Sequence, residues 1–94
     1  MASTSALLSR PQEPNLEAVR LAAHIRRQEL GLTLKQVVQR SQISESTVTG
    51  ALYGYHEGSI RTWWALARAL DLPVGELLAH LDDEVITKTA LPLG

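Results

Sequence analysis

Between Asn15 and Pro73 the sequence carries helix start and stop signals at short intervals, and no feature constrains the fold more. Asn15, Thr33, Ser44 and Ser59 are residue types whose side-chain oxygen accepts an amide that the first helical turn leaves unpaired. Gly31 and Gly54 can take the left-handed backbone that closes a helix. A first helix is expected from Asn15, with Glu17 in its first turn and Leu16, Val19, Ala22, Ala23 and Leu30 on one apolar face. Ile25 falls off that stripe. Gly31 followed by Leu32 reads as a Schellman end. Thr33 to Gln36 forms a capping box that opens a second helix, running to about Ser41 and contributing Val37 and Val38. Two turns are unstable alone, so packing must hold them. Gln42-Ile43-Ser44 is a tight connection. A third helix follows from Glu45 to about Tyr53, with Val48, Ala51 and Leu52 inward, and Tyr55 to Gly58 forms a loop. Ser59 opens a fourth, with Ile60, Trp63, Leu66, Ala67 and Leu70 at helical spacing. Asp71 can take its left-handed stop. Pro73 suits the first turn of a short fifth helix that turns Val74, Leu77 and Leu78 inward. The expected fold is all-α and compact, with five helices and no strand needed in its core.

These signals divide the chain into a flexible arm (1–14), a folded domain (15–80) and a tail (81–94) that is acidic at Asp82-Asp83-Glu84 and β-branched from Val85 to Thr89. At 94 residues there is room for one core and none for a large cleft with its walls. With no Cys, disulfides and thiolate chemistry are excluded, and His24, His56 and His80 are too scattered for a metal site. No catalytic set or phosphate loop is visible, so no enzymatic activity, cofactor or metal is expected. The apolar stretches are far shorter than a membrane span, and the N-terminus lacks the pattern of a secretory signal, so a cytoplasmic location is expected. Net charge is −1, without the strong basicity that draws a chain to nucleic acid. The acidity is a tail feature: from Leu16 to His80 seven Lys/Arg stand against six Asp/Glu.

Two short helices joined by a three-residue turn, the second capped by Ser44, have the geometry of a helix-turn-helix. GLTLKQVVQRSQISESTVTGALYG (31–54) and SIRTWWALARALDLPVGELL (59–78) resemble the phage repressor and Cro-like domains of the XRE family. Leu66-Ala67-Arg68-Ala69-Leu70 is similar to that family's IAKAL stretch, and Gly75-Glu76-Leu77-Leu78 to its DELL ending. The resemblance covers about Leu16 to Leu78 and implies a lambda-repressor-like fold that binds DNA. Departures from the family pattern are Leu34 where a phosphate-bracing Gln is usual, Val38 for Ala and Gln42 for Gly. Leu52 replaces a Glu that commonly pairs with an Arg at the position of Arg27, and Arg26 occupies a commonly apolar position.

On the third helix Glu45, Ser46, Thr49, Gly50 and Tyr53 fall together opposite the apolar face. They are the expected base-contacting residues. Gly50 would allow close backbone approach to DNA. Lys35, Arg40, Tyr55, His56, Ser59 and Arg61 are the expected phosphate contacts. Trp64, off the core stripe, and Val85 and Ile86 in the tail are candidates for a dimer interface. The resulting expectation is a sequence-specific regulator of double-stranded DNA, a repressor of phage or prokaryotic type acting as a homodimer. The alternative is an antitoxin or adaptor that uses the same fold to bind a protein partner.

Overall fold

The computed structural model describes residues 12–84. The expected dimer residues Val85 and Ile86 and most of the N-terminal arm lie outside them. Five α-helices follow one another: α1 (Leu16–Leu30), α2 (Leu34–Ser41), α3 (Glu45–Tyr53), α4 (Ile60–Ala69) and α5 (Val74–Leu78). A 3-10 turn, Ala79–Asp82, continues from α5. No strand occurs among the described residues.

The ends of the helices are made by the expected residues. Asn15 Oδ1 accepts the Ala18 amide, Ser44 Oγ the Thr47 amide and Ser59 Oγ the Thr62 amide. At Thr33 both halves of the capping box are present, and the Gln36 side chain accepts the Thr33 amide at 2.8 Å. Gly31 is left-handed, with its amide on the Gln28 carbonyl and that of Leu32 on Arg27, which is the Schellman pairing. Asp71 is left-handed too and closes α4 with the same pairing. Pro73 is the N-cap of α5, one position before the expected first turn.

The core is built from Val19 and Ala23 of α1, Val37 of α2, Val48, Ala51 and Leu52 of α3, Trp63, Leu66, Ala67 and Ala69 of α4, Leu70 at its C-cap, and Leu77 of α5. Leu32, Leu34, Val38, Ile43, Val74 and Leu78 pack around it. The Trp63 indole donates to the Glu57 carbonyl at 2.8 Å, so its one polar atom is satisfied on burial.

Three features differ from expectation. Leu30 is 37% and Ile60 74% exposed. Each is the terminal residue of its helix, where the apolar stripe has run past the edge of the core. The fold also continues beyond residue 80: Leu81 packs on the core, and its carbonyl accepts the Asn15 amide at 2.9 Å. Asn15 Nδ2 reaches on to the Asp83 carbonyl, which fastens this end of the chain to the start of α1.

Long-range polar contacts come mainly from α1. Arg26 donates to the Leu70 and Asp71 carbonyls at the end of α4 and pairs with Glu29 at 3.5 Å. That explains a cation at a commonly apolar position: it covers carbonyls that the end of α4 leaves free. Arg27 donates to the Leu32 carbonyl, while its buried Nε finds no partner among the described residues. The acidic partner implied by the family pattern is here Leu52, which is core.

Candidate nucleic-acid interface

The candidate element is α2, the Gln42-Ile43-Ser44 turn and α3. Gln42 makes the turn in the left-handed region, φ 62° and ψ 28°, and its amide closes α2 on the Val38 carbonyl. Ile43 packs against the core. Ser44 then starts α3, its hydroxyl also meeting Thr47 Oγ1 at 2.7 Å. Val48, Ala51 and Leu52 bind α3 to the body of the domain.

On the outer side of α3 stand Glu45, Ser46 and Tyr53, exposed, and Thr49, half-buried. These four share one face at helical spacing. Their side chains make no hydrogen bond within the described residues apart from a 3.4 Å approach of the Ser44 and Ser46 hydroxyls. A carboxylate, two hydroxyls and a phenol are thus presented outward as donors and acceptors. Glu45 in the first turn also suits the helix dipole.

Gly50, expected on this face, is instead buried beneath the His56 ring. A Cβ at Gly50 would lie 2.1 Å from His56 Nε2, so glycine here makes room for an imidazole of the chain itself. The Gly50 carbonyl accepts the amides of Gly54, Tyr55 and His56, which folds the loop back over the helix end. Gly50 therefore lies under the chain's own imidazole and not open on the outer face as expected.

Of the expected phosphate contacts, Lys35, Arg40 and Arg61 are exposed and form no ion pair among the described residues. Tyr55 is 80% exposed and His56 is exposed too, although its ring lies over Gly50. Ser59 is engaged as the α4 cap, accepting from Thr62 N and donating to Thr62 Oγ1. Leu34 packs against the core, and its side chain has no donor to offer an anion. Trp64 is 48% exposed, with the Arg68 guanidinium 5.1 Å from its ring centre.

The charge pattern has a reason invisible in a count of cations. Arg20, Arg26 and Arg27 all donate to backbone carbonyls. Among the described residues, the cations without a hydrogen-bond partner stand instead on the second and fourth helices. Among the described residues no group of His, Cys, Asp and Glu could hold a metal ion, and no helix is long and apolar enough to cross a membrane.

This arrangement defines a helix-turn-helix domain. A helix-turn-helix family model matches residues 24–77, and the chain belongs to that family, with the Cro- and XRE-like form. It is in general terms a DNA-binding regulator of the XRE type. No curated protein and no solved structure matches the chain.

Proposed function

We propose that this protein is a sequence-specific transcriptional repressor of phage or prokaryotic type that binds double-stranded DNA as a homodimer. The observation that carries this reading is the outer face of α3. Glu45, Ser46, Thr49 and Tyr53 offer hydrogen-bonding groups that the fold does not use. In this reading they meet base edges in the major groove, while Lys35, Arg40 and Arg61 neutralise phosphates, aided by Tyr55 and His56; the Ser59 hydroxyl, spent on the α4 cap, leaves only its backbone amide for a phosphate. One such module supplies few contacts, so two copies on half-sites about 34 Å apart supply the affinity. Trp64, half-exposed under Arg68, and the neighbouring exposed Ile60 suit a partner chain; Val85 and Ile86 are further candidates.

The same exposed tryptophan favours the second reading, an antitoxin or adaptor that binds another protein. A gel-shift titration with DNA from upstream of the protein's own gene separates the two. Repression requires a discrete complex that survives excess random DNA. Equal competition by random DNA would reject sequence-specific regulation.

A further inference from the structure

α3 is held at its C-terminal turn by side chains of α1, a helix outside the helix-turn-helix. The last carbonyls of a helix have no partner within it. In α3 two of them, Ala51 and Leu52, accept from α1: Arg20 Nε from 3.0 Å and His24 Nε2 from 3.0 Å. Arg20 Nη2 also reaches the His56 carbonyl in the following loop at 3.2 Å. Because a carbonyl can only accept, the bond requires a proton on His24 Nε2. The same imidazole lies against Tyr53, ring centres 5.1 Å apart and planes inclined by 49°. Tyr53 is the last residue of α3 and the one large side chain on its outer face.

We infer that His24 is a positioning residue for base choice: pinned by the Leu52 carbonyl, its ring sets where the Tyr53 phenol stands on the reading face. This rests on the proposed DNA reading of α3. Tyr53 has only two side-chain torsions, and a ring against one side of the phenol restricts its swing toward that side. Rigid placement of a contacting group favours the correct base over others, because a mobile phenol can adapt to a wrong one. Arg20 takes the companion part by holding the turn that follows Tyr53, so both ends of its backbone setting are tied to α1.

The test is a double-mutant cycle on DNA discrimination. The probes are the tightest duplex selected from random DNA by the wild-type protein and a random duplex of equal length. His24→Ala is expected to lower the ratio of their affinities about tenfold, near the low end for one base contact, with random-duplex affinity within about twofold. In a Tyr53→Ala background the same change should lower the ratio no further. His24→Gln, which keeps a side-chain donor for Leu52, should recover part of the loss, and serves as the folded comparison should His24→Ala melt early. An unchanged ratio in His24→Ala and His24→Gln overturns the inference, as does an equal loss with and without Tyr53. If Thr49→Ala lowers the ratio and Tyr53→Ala does not, α3 still reads DNA but His24 has nothing to position. A wild-type protein for which selection enriches no sequence refutes the DNA reading itself, and with it this inference.

Discussion

Replacing Gln42 by glycine should stabilise the protein. Gln42 is exposed, and its side chain makes no hydrogen bond within the described residues, so the substitution removes little besides backbone strain. Its φ of 62° lies in the left-handed well, which costs an L-residue about 1–2 kcal/mol. Glycine escapes that cost but adds freedom to the unfolded chain, worth about 0.4–1 kcal/mol. The difference spans about 0–1.6 kcal/mol, with a central gain of about 0.8 kcal/mol. In a domain of this size 1 kcal/mol moves Tm by about 4–8 °C, so a rise of about 3–6 °C is expected by circular dichroism. Gly31→Ala is the mirror experiment. Its φ is 66° and an added Cβ meets nothing within 4 Å, so only the conformational cost remains and Tm should fall by a similar amount. A Gln42→Gly protein no more stable than wild type, alongside a Gly31→Ala protein that falls as expected, would refute the left-handed turn at Gln42.

Other outcomes follow from the core and the interface. Leu66, fully buried at the centre, should cost about 2–5 kcal/mol as Leu66→Ala in urea unfolding, a large share of such a domain's stability. Gly50→Ala should gain about 1 kcal/mol of helix propensity when made in a His56→Ala background, and gain less when the His56 ring has to move aside. Equal effects in both backgrounds would mean that His56 does not cover Gly50. Lys35→Ala should weaken binding to any duplex and reduce the log–log salt slope by about 0.9, as one lost phosphate contact requires. An unchanged slope removes Lys35 from the phosphate set.

What could be read from the sequence was local. Caps, the Schellman end at Gly31 and the length of α3 depend on residues within four or five positions of each other. They therefore appear in the structure where expected. The same locality explains the misses. Helical periodicity assigned Leu30 and Ile60 to the core, but period alone does not show where a helix overshoots what it packs on. Gly50 lay on the polar face by spacing, and only the fold of the 54–58 loop brings His56 over it. The work of Arg20, His24 and Arg26 joins residues 28 to 45 positions apart, with no trace in spacing. The one signal for any of it was that Arg26 broke an apolar pattern. Leu81 was assigned to the tail because the neighbouring Asp82-Asp83-Glu84 run reads as solvated, although its own side chain was apolar enough to pack.

The central claim is that the outer face of α3 meets DNA, and amide chemical-shift mapping during titration with a duplex at low salt tests it most directly. Phosphate attraction brings even a duplex of arbitrary sequence to the proper face at low salt, so the operator need not be known. The largest shifts should fall on residues 44–49 and Tyr53, at Lys35, and at residues 59–61, with Leu21 and Ile25 on the outer side of α1 unmoved. Shifts confined to α1, or centred on Trp64 with α3 silent, would contradict the account.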